Sequence, residues 1–569
     1  METLDHDIVV IGSGLAGLRA ALEAARVSGG MLDIGILSKT QAMRSHSVAA
    51  EGGTAAVLYP EKGDSLESHV WDTVKGSDFL ADQDAVDLYV RTAPEEIRLL
   101  ERWGMPWSRQ ADGRIAQRPF GGHDFPRATF AADKVGFLEM QTLYGAIQAF
   151  PRITVHHEWY ATSILHEDRR FRGITAIDLR TGNLVVVRAK AGILATGGAG
   201  RIYGFTTHGH HSTADGLLMA YRAGLALKDM EFIQFHPTGL VPSGILITEA
   251  ARGEGGYLVN RDGERFMKRY APSKLELAPR DVVSRSEMTE INEGRGIDGP
   301  EGISCVGVDL RHLGKETLLE RLPQIREVTM KFLGIDPVDE VVPIKPAAHF
   351  TMGGVHTDLR GATEMRGLWA AGEAACVSVH GANRLGANST SICLVYGRIT
   401  GAEAAASVKT WPGDGVPKEQ VLEEERRLFD GTLRGGGDAN PYDVRDRLRA
   451  AMDRDAYVFR TGEGLTRALR EVRALQREAY RNVGDPEKEY NTNFLHVLEL
   501  DSLLAAAEIV VAGALAREES RGAHTRLDHP KRDDEKWLMH TLARRTAHGP
   551  RLEYVPVTIT KHRPVERRY

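Results

Sequence analysis

The hydrophobic pattern predicts structure from the first residues onward. Ile8-Val9-Val10-Ile11 is a continuous apolar run of the kind buried on both faces of a parallel sheet. Gly12-Ser13-Gly14-Leu15-Ala16-Gly17 follows directly, and Leu18, Ala21, Leu22 and Ala25 then recur at helical spacing. A second apolar run over 34–37 completes a βαβ unit. Two later junctions have the same strand-to-glycine form. Ala191-Gly192-Ile193-Leu194 leads into Ala195-Thr196-Gly197, and Gly367-Leu368-Trp369-Ala370-Ala371 leads into Gly372-Glu373. Junctions so far apart predict one Rossmann-like cofactor domain, over 1–230 and 349–410, interrupted by an α+β insertion over 231–348. The turn cluster Trp411-Pro412-Gly413-Asp414-Gly415 marks a boundary. Beyond it the apolar stripes Leu465, Leu469, Val472, Leu475 and Leu495, Leu498, Leu503 predict a helical domain over 416–530. Alternation from Leu552 to Thr560 predicts a strand in a small C-terminal domain over 531–569. The fold class is α/β.

Composition narrows what this fold serves. The 569 residues suit about three or four domains at ~150 residues each. With 72 basic and 78 acidic residues the net charge is −6, so no basic field points to nucleic acid and no basic cluster to lipid. Cys305, Cys376 and Cys393 are too scattered for a disulfide framework or for a zinc or iron–sulfur site. The chain is therefore expected to be intracellular and to hold no metal of its own. Its start shows no basic n-region, twin arginine or transit pattern. The longest apolar stretch, Leu503 to Ala516, contains Glu508 and is too short to span a membrane. Glycine, at 60 residues, exceeds the ~7% norm and needs a local explanation.

The glycine-rich segments supply one. A GxGxxG that follows a strand and opens a helix is a dinucleotide pyrophosphate site, with backbone N–H groups turned to phosphate. Nicotinamide sites place an acid at the end of the second strand to hold the ribose. Here that end reads Ser38-Lys39, and the nearby acid, Asp33, stands at the strand's start. The cofactor is therefore expected to be a flavin. Further glycine-rich segments carry ionisable groups: Met43 to Ser47, Ala50 to Gly53, Gln234 to Gly239, Ile247 to Gly256, Pro279 to Asp281, His349 to Gly354 and His380 to Gly386. Arg252, Arg280 and Arg384 with two histidines beside a flavin suit a small dianion. A dicarboxylate there suggests hydride exchange at a carbon next to a carboxylate, with a proton crossing to its neighbour.

These motifs resemble the flavoprotein subunit of the succinate dehydrogenase and fumarate reductase (complex II) family from position 7 to 569. The resemblance rests on GSGLAGLRAA at 12–21, MRSHSVAAEGG at 43–53, DMEFIQFHPTGL at 229–240, GILITEAARGEGG at 244–256, HFTMGGV at 349–355, HGANRLGANS at 380–389 and ESRGAH at 519–524. It implies an FAD-binding domain interrupted by a capping domain, and succinate–fumarate interconversion in electron transport and the tricarboxylic acid cycle. It further implies an iron–sulfur subunit, membrane anchors with quinone, and a peripheral place on the cytoplasmic side of the cell membrane. His46 matches the histidine bonded covalently to the flavin, an attachment that raises its potential. Phe120, His236, Thr248, His349 and Arg384 match residues around the substrate. Arg280 matches the proton donor to fumarate, with Glu249 and Arg252 as its relay to solvent. The remaining FAD positions implied are Gly12, Ser13, Gly14, Leu15, Ala16, Gly17, Ser38, Lys39, Thr40, Ser45, Ser47, Glu51, Gly52, Gly53, Ala195, Thr196, Gly197, Asp215, Glu373, Ser389 and Thr390, together with Arg384. Thr390-Ser391-Ile392 departs from the family's usual leucine, variable residue and acid. Glu51 stands where many succinate dehydrogenases carry glutamine, which bears on flavin potential. The alternatives are an L-aspartate oxidase, which lacks the covalent-flavin histidine, and a catalytically silent flavoprotein scaffold.

Overall fold

The run at 8–11 is the end of a longer strand, Glu2–Ile11, in a computed structural model that describes residues 2–409 and 415–569. The strand starts earlier than hydrophobicity predicts because its polar half pairs with Val185 to Ala189. It lies in a seven-stranded sheet ordered Ile153–His157, Ile34–Ser38, Glu2–Ile11, Asn183–Leu194, Arg170–Asp178, Trp159–Glu167, with Leu368–Ala370 also paired to Asn183–Leu194. In register, Ile11 faces both Leu37 and Leu194, and Leu194 faces Ala370. Three junctions far apart in sequence thus end side by side at the carboxyl edge of the parallel part of this mixed sheet, where α/β folds place their ligands.

Glycine allows that edge to close. Gly12 has φ +111°, and a Cβ there would lie 2.1 Å from the Ala195 carbonyl oxygen. A Cβ on Gly17 would lie 1.9 Å from the Gly12 carbonyl oxygen, where helix Leu15–Val27 crosses the strand end. Neither obstacle is a side chain that can swing away. Gly17→Ala is accordingly expected to destabilise by ~1–3 kcal/mol or more and to weaken FAD retention. A melting curve and the flavin absorbance of the purified variant check this.

The insertion carries an antiparallel sheet of Ile233–Leu240, Val342–Thr351, Ser304–Asp309 and Tyr257–Val259, whose second strand runs on past position 348, with a core including Ile247, Phe266, Val283 and Val306. Its first strand shifts register after Gln234 and again between His236 and Gly239, and such bulges re-aim side chains. Trp411 to Asp414 of the expected boundary cluster lie outside the described residues. Downstream, Gly462–Leu475 buries Leu465, Val472 and Leu475. The second stripe and the apolar stretch ending at Ala516 are one 25-residue helix, Thr492–Ala516. Among the described residues no helix is long and apolar enough to cross a membrane. The strand expected to reach Thr560 stops at Pro556, and it pairs with Met539–Thr546, whose pattern gave no strand signal.

Candidate active site

A cavity of about 710 Å³ opens where the three junctions meet. Gly12 to Ala16, Ser38, Lys39, Thr40, Ala195, Thr196, Gly197, Asp215 and Glu373 line one part of it. Ser13 and Ser38 hydroxyls lie 2.7 Å apart. Lys39 Nζ donates to Asp215 Oδ2 at 2.7 Å and also pairs with Glu499 of the long helix, while Tyr160 donates to Asp215 Oδ1. The Thr196 hydroxyl is buried without a partner, and Glu373 accepts from the Thr351 N–H at 2.9 Å. Gly17 stands behind this wall, at the helix–strand crossing.

His46 lies in a short 3₁₀ turn stitched to the glycine loop, since Ser47 Oγ accepts from the Leu15 N–H at 3.2 Å and Ser45 Oγ caps the turn. Its Nδ1 accepts from the Gly209 N–H at 3.3 Å, which leaves Nε2 as the free nitrogen. The ring stacks on His208 at 4.8 Å. Burial, then His208 and His211, keep it neutral. Glu51 is buried, takes a 2.7 Å bond from Gln324, and is pushed well above the carboxylate range by burial and by Asp133. Arg118 holds the adjoining turn by donating to the Gly52 carbonyl at 2.6 Å. Gly53, Ser389 and Thr390 complete that wall, with Thr390 Oγ1 donating to the Gly53 carbonyl at 3.0 Å.

The other end gathers Phe120, His236, Thr248, Glu249, Arg280, His349 and Arg384. Arg280 Nε donates to Glu249 Oε2 at 2.6 Å and Nη1 to Gln234 Oε1 at 3.1 Å. Glu249 Oε1 also accepts from the Gly121 N–H at 2.6 Å. Arg252 stands behind, 3.5 Å from Glu249 and off the cavity wall. Burial alone would raise the Glu249 pKa, but Arg280 and Arg252 outweigh it and hold the carboxyl down to about 2. Burial lowers the Arg280 pKa; Glu249 opposes that and Arg252 adds to it. Such a buried pair stabilises little beyond its own desolvation, yet breaking it from one side costs about 3–5 kcal/mol.

Several donors here are unspent. His236 Nε2 and Arg384 Nε and Nη2 are buried without partners. His236 and His349 rings lie 4.8 Å apart, and burial together with Arg280 and Arg384 keeps both neutral. Thr207 holds His349 through Nδ1 at 2.8 Å, and Phe350 underlies the Arg384 guanidinium at 4.4 Å. Burial and Arg280 depress the Arg384 pKa, so an anion bound there is rewarded for restoring its charge balance. Oriented, unpartnered donors around one void match a dianion. Sequence reasoning missed Thr207, His208, Gln234 and Arg118. Gln234 lies inside a quoted motif, but nothing in the local pattern distinguishes the others.

Residues 7–390 match the family described as FAD binding domain, and 445–569 match fumarate reductase flavoprotein C-term. The chain is 47% identical to a fumarate reductase flavoprotein subunit of Mycobacterium tuberculosis, over 100% of both chains. It is 43% identical to a succinate dehydrogenase flavoprotein subunit of Rickettsia conorii, over 97% of this chain and 95% of that one. A solved quinol-fumarate reductase with menaquinol molecules superposes with TM-score 0.95 at 43% identity, covering 99% of this chain and 100% of the other. The residues present fit FAD: a glycine cradle no Cβ could enter, the orphaned Thr196 hydroxyl, and strand ends that converge on one void. The chain belongs to the family of fumarate reductase and succinate dehydrogenase flavoprotein subunits, FAD-dependent oxidoreductases.

Proposed function

We propose that the chain interconverts succinate and fumarate as the flavoprotein subunit of a succinate:quinone oxidoreductase. The observation that carries this reading is the set of unpartnered donors on His236 and Arg384, in the same cavity as the Glu249–Arg280 pair. FAD supplies the hydride acceptor or donor. His236, Thr248, His349 and Arg384 hold the substrate carboxylates, and Phe120 closes one side. Arg280 delivers a proton to the carbon beside the one receiving hydride, and the reverse step takes it back. Its lowered pKa and the adjoining Arg252 reduce the cost of brief deprotonation, and Glu249 at 2.6 Å restores the proton. His46 carries FAD covalently through its free Nε2 nitrogen.

Electrons leave singly through an iron–sulfur subunit to quinone held by membrane anchors. The scattered cysteines, and a solved relative whose description includes menaquinol, support that route. The chain sits on the cytoplasmic side of the membrane, held by its partners. The complex co-purified with those subunits should reduce a quinone with succinate and reduce fumarate with a quinol. Inactivity in both directions with FAD in place would overturn the assignment.

A further inference from the structure

The helix Val135–Ile147 bears one charged side chain, Glu139, and it is 0% exposed. Its Oε1 lies 2.5 Å from Thr54 Oγ1, and its Oε2 is buried with no partner. Thr54 Oγ1 lies 3.0 Å from Thr390 Oγ1, and Thr390 donates to the Gly53 carbonyl at 3.0 Å. Thr390 and Gly53 are on the cofactor wall. With Glu139 protonated, each oxygen gives one hydrogen onward, from carboxyl to Thr54, to Thr390, to Gly53. With Glu139 ionised, Thr54 turns its hydrogen to the carboxylate. The row therefore has two ordered states that differ by one proton, and it ends at the cavity.

We propose that Glu139 is a redox-linked proton-binding group, reached through Thr54 and Thr390, which keeps or takes a proton when the cavity's cofactor gains negative charge. This rests on the flavin reading above. Among the described residues no cation compensates Glu139. Arg19 and Glu23 of helix Leu15–Val27 bind each other, with Arg19 also on Glu96 of helix Gln83–Arg102, and Arg26 pairs with Glu23. Arg398 of helix Asn388–Val408 pairs with Glu95 and Glu96. Arg44 is exposed, and His46 in the neighbouring turn is held neutral by burial. Cys393, whose thiol burial pushes up to about 12, is uncharged. Burial raises the Glu139 carboxyl to about 8, with only the Thr54 hydrogen bond opposing. A second negative charge in this dry site is costly, so reduction strengthens proton binding at Glu139. Reciprocally, loss of that proton disfavours reduction. Where Glu139 is ionised beside the oxidised cofactor, up to one proton from solvent is taken per two-electron reduction and returned on reoxidation, with succinate and the electron-accepting partner supplying and removing the electrons; at lower pH the carboxyl keeps the proton it already holds.

The test compares wild-type and E139Q holoenzyme by spectroelectrochemistry between roughly pH 6 and 10. Glu51, also buried and raised, is common to both, so the difference isolates position 139. Near pH 6 the two midpoint potentials should run parallel. Above about pH 7 the wild-type potential should fall more steeply, by up to one proton per two electrons. The infrared reduced-minus-oxidised spectrum of wild type should contain a deuterium-sensitive carboxyl band that is missing from the E139Q spectrum. Parallel potentials throughout, or no such band, overturn the inference. A wild-type chain that retains no FAD would instead strike the parent reading.

Discussion

Replacing Arg280 by alanine is expected to lower both fumarate reduction and succinate oxidation by roughly 10³-fold or more, while the protein stays folded and yellow. The size is that of a general acid removed from a transition state, increased by the loss of a cation at the substrate. Folding should survive because Glu249 is not stranded: the Gly121 N–H at 2.6 Å and Arg252 at 3.5 Å remain to it. Lysine should not rescue, since a point charge cannot donate to Glu249 and Gln234 together as the guanidinium fork does. Both directions must fall together, because one residue gives the proton forwards and takes it backwards. Steady-state rates in each direction, with flavin absorbance as the control, decide it, and normal turnover in R280A would remove Arg280 from the proton path.

The second large effect is at His46. Acid-precipitated wild type should give a yellow, fluorescent pellet, and His46→Ala a colourless one. The variant should still bind FAD reversibly, because the glycine loop, Lys39 and Thr196 are untouched. Its flavin, no longer drawn on by the imidazole, becomes a weaker oxidant, so succinate oxidation should fall at least about tenfold while fumarate reduction falls less. A coloured pellet from H46A would place the attachment elsewhere.

The sequence exposed what short-range pattern encodes. Strand Glu2–Ile11, the glycine turn and helix Leu15–Val27 were legible because apolar run, turn chemistry and helical period lie within a few tens of residues. The separate junctions announced a shared cavity because each ends a strand in glycine. Their adjacency needed the sheet itself, where Ile11, Leu194 and Ala370 come into register. Side-chain supports between distant segments left no local trace. Thr207 reaches His349 across 142 positions, and Thr54 reaches Thr390 across 336. Glu139, the one charge on its helix, left no local signal either, because only the fold shows that it lies on the buried face with Val135, Met140 and Leu143 while Phe137 and Gln141 face outward. Met539–Thr546 ends in Arg544-Arg545-Thr546 at its exposed tip, which dilutes the alternation its partner displays. The extended N-terminal half of the first strand was hidden for the same reason, because its pairing and not its hydrophobicity makes it a strand.

What reduces the bound flavin separates succinate–fumarate interconversion from its rival most directly. Under anaerobic conditions, succinate added to the purified holoenzyme should bleach the flavin absorbance, and fumarate should restore it. Flavin that succinate leaves oxidised while L-aspartate bleaches it would contradict succinate–fumarate interconversion and assign the site to the oxidase chemistry instead.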